Sequence, residues 1–310
     1  MKTLSTIALS LLAAVALQAA TKNIVIVAGP PSHASGEHEF NAGAQILAKA
    51  LNEQSGLDVK VTVSTHKWPD AEAIAAADAI IVYSDGRRRH PANGQLQQLD
   101  KELAKGKGFM CMHYAVDVPK GEFGDMMTKW IGGYYEAGWS INPHWNADLK
   151  PKMDHPVARG VKPQRVHDEW YYNMRFPKDK KAVDLLTAII EQNRIRHYNS
   201  WEEVGPSLWG TNQTLMWGVE RPDGGRGIGF TGGHWHKNWA LDNYRKMVLN
   251  AIVWVAGIEV PEGGVKSEPV TLEQLNANLD KKKKMKAVPM PSDKDFEFTP
   301  AKPKPLKKKK

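Results

Sequence analysis

The sequence predicts an α/β fold, a mostly parallel sheet with helices on both faces and one aromatic-rich irregular insertion. Three observations carry this. Short apolar runs alternate with helical patterns of roughly 10 to 17 residues, the signature of βαβ units. The strands are near-continuous in apolar residues, as in sheets covered on both sides. Polar residues gather just after strand ends, where open parallel sheets bind ligands.

Residues 1–20, "MKTLSTIALSLLAAVALQAA", have an early lysine, an apolar centre and small residues at the end, and read as a secretory signal peptide. Their apolar run of roughly 14 residues falls short of the about 20 that span a bilayer. The protein is therefore expected to be secreted or periplasmic. "NIVIVA" is the first strand, and a helical pattern runs from His38 to about Gln54. "VKVTVS", a short helix near Ala71, "AIIVYS", a helix over Gln95–Lys105 and "GFMCMH" follow. From Tyr134 to about Trp209 the chain is aromatic-rich, and short strands and long loops are expected to lie over the sheet. "TLMWGVE" and "RGIGFTGG" form a strand pair around the turn "RPDGG". A closing helix runs over Asn238–Ala256 and ends at Gly257, a suitable residue for a helix C-terminus.

The boundaries that follow are the leader (1–20), one α/β domain (21–265) and a Lys/Pro-rich tail (266–310). The formal charge of +8 resides almost wholly after Gly264, in "DKKKKMK" and "AKPKPLKKKK". Such a segment is expected to be disordered. Its one foreseeable partner is an anionic surface, held by weak electrostatic contact. The domain itself is nearly neutral, which excludes a nucleic-acid footprint. No glycine loop suits a phosphate, so no nucleotide is expected. The single cysteine, Cys111, rules out an internal disulfide, and its place in an alternating strand makes it a packing residue.

Four segments leaving strand ends carry the chemistry: "GPPSHASGEHEF", "SDGRRRHP", "HYAVD" and "GGHWHKNW". They bring His33, His38, Glu39, Asp85, Arg87, His90, His113, Asp117, His234 and His236 to one edge. Each has a plainer alternative. His38 and Glu39 suit the start of the first helix, where a carboxylate interacts favourably with the helix dipole. His113 suits a buried histidine donating to a backbone carbonyl. The pair "HWH", if extended, projects His234 and His236 to one side. They then either hold a divalent metal with His38 or Glu39, serve proton transfer, or bind sugar hydroxyls. "DEWYYNMRF" adds Asp168, Glu169 and Arg175 among aromatic rings. Indole faces beside carboxylates suit a sugar ring, and Trp139, Trp145, Trp170, Trp235 and Trp239 flank the polar stretches; equally, these rings form core beneath the loops.

The segments "SHASGEHEFNAG", "HYAVD", "GGYYEAGWSINPHW", "DHPVARGV", "DEWYYNMRF" and "DGGRGIGFTGGHWHKNWALDNYRKMVLNAIVW", in order between Asn23 and Val265, resemble the ThuA-like trehalose-utilisation family. The resemblance implies a flavodoxin-like, doubly wound variant of the class I glutamine amidotransferase fold. Where amidotransferases carry a cysteine at a strand-end turn, this chain has His113, so glutamine hydrolysis is not expected. The family's link to disaccharide catabolism implies a small carbohydrate substrate, a disaccharide or its 3-keto derivative. A C3 carbonyl acidifies the neighbouring C–H, which opens hydrolysis, elimination or isomerisation to histidine acid/base chemistry, with or without a metal. On this reading His113 and His236 are the catalytic acid and base, with Glu39 and Asp168 beside them. His33, Tyr114, Asp117, Trp139, Glu169, Arg175 and Asn238 bind substrate, Arg175 or a metal stabilises an oxyanion, and His38, His234 and His236 form the metal set. A non-catalytic carbohydrate binder and a small-molecule amidohydrolase are the alternatives.

Overall fold

The apolar runs pair as their composition dictates. The computed structural model describes residues 20–191 and 208–295, with the backbone alone of 195–197. Strands β1 (Lys22–Ala28), β2 (Val59–Thr65), β3 (Ala79–Tyr83), β4 (Gly108–Met112) and β10 (Arg226–Phe230) lie side by side in the order β2-β1-β3-β4-β10, every neighbour parallel. Alternation of side chains splits them between two cores. Ile24, Ile26 and Ala28 face α1 (Phe40–Lys49) and α5 (Asp242–Val255), while Val25 and Val27 face α2 (Ala71–Ala76), α3 (Leu96–Leu103) and α4 (Glu122–Ile131). Helices thus cover both faces of the parallel half, and each fully buried Ile or Val contributes about 1.5–3 kcal/mol.

The middle of the chain departs from expectation. Instead of lying over the sheet, β5 (His144–Pro151), β6 (Gln164–Asp168) and β7 (Val183–Ile189) extend it by antiparallel pairing beyond β9 (Asn212–Glu220), which pairs with β10 as expected, and β8 (Ile195–His197) pairs with β5. The reason lies in β5: Trp145, Ala147 and Leu149 alternate inward and are buried, so the strand has an apolar face to contribute. Trp145, Trp170 and Trp239 are core, and of the five flagged tryptophans only Trp139 and Trp235 reach solvent. The turn between β9 and β10 is held by Asp223, whose Oδ1 accepts from the Gly225 amide at 2.8 Å.

Both helices beside the site begin later than their sequence pattern. His38 stands outside α1 at φ 47°, and Glu39 precedes it without a side-chain cap. His236–Ala240 form a 3-10 turn before α5.

The boundary at 265 needs correction. Residues 266–295 form a strap rather than a disordered tail. Val270, Leu275 and Val288 are buried, and α6 (Leu272–Asn276) opens with a capping box between Thr271 and Gln274. The Arg245 guanidinium, fully buried, donates to the Glu268 carbonyl at 2.8 Å. The lysine count masked this amphipathic pattern. Residues 296–310 and the leader up to residue 19 lie outside the described residues, and no helix among those described is long and apolar enough to cross a membrane.

Candidate active site

The loops after β1, β4 and β10 meet at the carboxyl edge of the parallel strands, joined by the end of β6. They bring His38, His113, His234 and Glu169, all buried, so close that one ligand atom from each lies within 4.8 Å of the others. His38 Nε2 stands 3.0 Å from both His113 Nε2 and His234 Nδ1, and those two are 3.3 Å apart. Glu169 Oε2 is 3.2 Å from His234 Nδ1 and 3.5 Å from His113 Nε2.

Hydrogen bonding at the far side of two rings fixes which atoms hold lone pairs. His113 Nδ1 donates to the Thr231 carbonyl at 2.9 Å, and His38 Nδ1 donates to the Asp85 carboxylate at 2.9 Å. Both Nε2 atoms therefore present lone pairs to each other. Two acceptors at that distance repel unless a shared proton or a cation lies between them. Burial, reinforced by the other histidines, keeps them neutral: His113 is pushed down to about 3, and His38 well below its ordinary value. Burial likewise lowers His234 to about 3 and raises Glu169, whose Oε1 is held by Asn142 at 3.1 Å. The Tyr171 hydroxyl stands 3.4 Å from both His113 Nε2 and Glu169 Oε2.

Four ligand atoms about 2.05 Å from a tetrahedral ion are separated by about 3.3 Å. The five separations above scatter from 3.0 to 3.5 Å around that value. Tethering the distal nitrogens to a carbonyl and a carboxylate is also how proteins orient ligating imidazoles. The cluster is thus one that could hold a divalent metal ion.

The backbone is strained where these side chains converge. His33, His38, Arg87 and His113 all sit at positive φ, 59°, 47°, 50° and 55°, a region non-glycine residues rarely adopt. Gly86 permits a close backbone approach, since a Cβ there would stand 2.3 Å from the carbonyl oxygens of Tyr114 and Asp117. Beside it opens a groove of about 520 Å³ lined by Asp85, Arg87, Tyr114, Asp117, Pro119 and Glu136, among others. Asp85, which orients His38, is shared between groove and cluster. Asp117 accepts from Arg87 at 2.8 Å through Oδ2, while its buried Oδ1 has no partner among the described residues. Burial outweighs Arg87 and pushes Asp117 up to about 7. His33 lies half-exposed over His38, ring centroids 3.6 Å apart.

The remaining expected residues have other roles. His236 is not in the cluster, because the chain turns into the 3-10 segment instead of staying extended. Its Nε2 donates to the Leu275 carbonyl at 2.8 Å, and burial lowers it to about 4. Neither ligation nor proton transfer with substrate suits that position. Glu39 faces the strap, accepting from the Gly36 and Asp280 amides and pairing with Lys282 at 3.0 Å. Asp168 organises the loop after β10, accepting from the amides of Gly233 and His234, from Asn238 and from the Tyr244 hydroxyl, and Asn238 is spent on this and on the His167 carbonyl. Arg175 grips Glu136 with two bonds and stacks on Trp139, so it has no free fork for an oxyanion in the cluster. His144 went unnoticed in the sequence; its ring packs edge-on to His234, and its Nε2 is 3.7 Å from Glu169 Oε1. The "NPH" of the aromatic-rich stretch was its only signal.

Fold and site define an α/β protein with a buried histidine–carboxylate centre at the carboxyl edge of a parallel sheet. The chain belongs to the ThuA family, described as trehalose utilisation, whose model matches residues 25–255. A solved protein from Bacteroides uniformis ATCC 8492 described as ThuA-like is 16% identical with a TM-score of 0.54, over 79% of this chain and 95% of that one. Another so described, from Parabacteroides merdae ATCC 43184, is 16% identical with a TM-score of 0.52, over 81% and 98%. At these identities the likeness speaks for the fold. A search of curated proteins found no match.

Proposed function

We propose that this protein is an extracytoplasmic, metal-dependent enzyme acting on a disaccharide or its 3-keto derivative, by hydrolysis, elimination or isomerisation. The single observation that supports it most is the set of converging lone pairs on His38 and His113, with His234 and Glu169 completing four donors. These four residues would hold a divalent first-row ion, the class imidazole ligands suit. When bound, such an ion supplies Lewis-acid polarisation of a carbonyl or hydroxyl oxygen.

The chain's own groups would do the rest. The groove is large enough for a sugar of one or two rings. Tyr114 and Pro119 offer apolar faces to the ring, and the Arg87 and Asp117 pair offers donors and an acceptor to hydroxyls. Asp117, ionising near neutrality, is suited to take the acidified proton next to a C3 carbonyl and return it to the neighbouring carbon or a leaving oxygen. His113, expected to be an acid or base, is better suited as a ligand, because both ring nitrogens are engaged. The flavodoxin-like winding belongs to the same proposal, supported by the β2-β1-β3-β4 order and helices on both faces. Extracytoplasmic location rests on residues 1–20 alone.

The test combines metal analysis of purified protein with turnover assays on trehalose and a 3-keto disaccharide, before and after chelation. The expected result is near-stoichiometric metal, loss of turnover in chelator and recovery with Zn(II), Mn(II) or Co(II). Full turnover by metal-free protein would overturn the metal; tight sugar binding without turnover would convert the enzyme into a binder.

A further inference from the structure

The strap crosses the molecule beside the loops that carry His38 and His234, and it lies beyond the residues the family model matches. Its contacts concentrate on the loop after β1. The Lys282 ammonium, whose side chain is only 6% exposed, pairs with Glu39 at 3.0 Å and donates to the Ala34 carbonyl at 3.1 Å and to the Glu37 carbonyl. The Asp280 amide donates to Glu39 Oε2 at 2.9 Å, and Ser35 Oγ exchanges hydrogen bonds with Lys286 at 2.9 and 3.0 Å. A second attachment, from His236 Nε2 to the Leu275 carbonyl, ties the strap to the segment carrying His234.

We infer that the strap is a clamp that holds the two ligand-bearing loops in register, and that Lys282 is its positioning residue. The loop from His33 to Glu39 belongs to no helix or strand and holds two histidines at positive φ. A single β-bridge, Glu37 to Trp235, joins it to the segment carrying His234, with the His38 amide donating to the His234 carbonyl at 3.0 Å and the His236 amide to the Gly36 carbonyl at 2.9 Å. The strap braces that one bridge from outside. The Ala34 carbonyl, which also accepts from the Glu37 amide at 3.1 Å, and the Glu37 carbonyl converge on one buried cation. Removing that cation takes support from the backbone up to His38, whose carbonyl it also approaches at 3.5 Å, without removing any metal-ligating side chain. The inference rests on the metal reading above for its effect on affinity, and on geometry alone for its effect on the loop.

The test uses the full chain with Lys282→Met, and with Lys282→Met combined with Glu39→Gln so that no charge stays buried and unpaired. Leu272→Ala, on an exposed strap residue, is the control. Zn(II) affinity is measured by competition, the Co(II) visible spectrum reports ligand geometry, and hydrogen exchange in metal-free protein reports residues 33–39. Displaced outer-shell support is expected to weaken Zn(II) about 10- to 100-fold in both Lys282 variants. The Co(II) spectrum should change, and exchange across 33–39 should accelerate, while the control matches wild type. A merely structural lysine would lower the melting temperature of Lys282→Met but leave affinity, spectrum and loop exchange of the double variant at wild-type values, and that result would overturn the inference. Should wild type bind neither Zn(II) nor Co(II), the metal reading fails by itself, and unchanged loop exchange in the double variant remains the outcome that refutes the clamp.

Discussion

Replacing Asp117 by asparagine should separate activity from stability, in opposite directions. The carboxyl is buried beside the groove, with Arg87 on one oxygen and no partner among the described residues on the other. Burial raises its pKa from 3.8 to about 7. A group whose folded pKa lies above its unfolded value stabilises fully below the unfolded pKa, and that contribution is lost as pH rises through the folded one. Here the window runs from about pH 4 to about pH 8. Three units at about 1.4 kcal/mol each make the cumulative loss about 4 kcal/mol. Asparagine cannot ionise, and its carbonyl oxygen can still accept from Arg87. Asp117→Asn should therefore unfold at higher denaturant than wild type at pH 8, by about 2–4 kcal/mol, with the gap closing near pH 4. The same variant should lose about 100-fold or more in kcat/KM on the keto sugar, and the wild-type rate should rise through pH 7 with a limb the variant lacks. Urea melts across pH 4–8 and a pH–rate profile decide this. A stability gap that does not change with pH, or a wild-type profile flat through 7, would refute the reasoning.

Three further outcomes follow from the packing. Truncation after Val265 should lower the melting temperature, and Leu275→Ala alone should cost about 2–5 kcal/mol, because Leu275 is fully buried; calorimetry that finds the truncated chain as stable as the whole would show the strap is passive. His90 is buried, with Nδ1 accepting from the Ala92 amide, and burial lowers it from 6.5 to about 3, so its contribution is complete above pH 6.5 and fades as pH falls. It should remove about 2 kcal/mol from wild type at pH 5 relative to pH 7, a loss absent from His90→Asn in paired melts. Cys111 is buried with its thiol pushed well up, so alkylating reagents should leave it unmodified in the folded protein, and Cys111→Ala should turn over normally; an inactive but folded variant would overturn its assignment to packing.

Much of the site was legible and some of it was misread, for reasons that can be located. His113 shows the first. One sequence alternative was a buried histidine donating to a carbonyl, and the structure has that bond, to Thr231, which aims Nε2 at His38. The "HWH" pair was assigned to one side on the assumption of extended backbone, which a single 3-10 turn at His236 reverses. Between Asp168 and Glu169, adjacent acids at the end of β6, alternation says only that they point apart. Which one enters the cluster depends on the loop after β10, whose amides Asp168 binds. Lysine density after Gly264 hid Val270, Leu275 and Val288, because composition averages over a segment while packing depends on a few positions in it.

By itself, the sequence determined the parallel half of the sheet, its two-sided helical cover and the edge on which the polar loops emerge. Those features rest on local periodicity and on the general geometry of βα units, which any short window of the chain carries. Only the tertiary structure decided which atoms meet. His38 and His234 are 196 residues apart in the chain and 3.0 Å apart at their nitrogens. Their alignment involves turns at positive φ, a direct bond from the His38 amide to the His234 carbonyl, and the Asp85 carboxylate that accepts from the His38 ring. A convergence of that kind is a property of long-range packing, in which each ring's direction is set by a partner the local sequence does not contain.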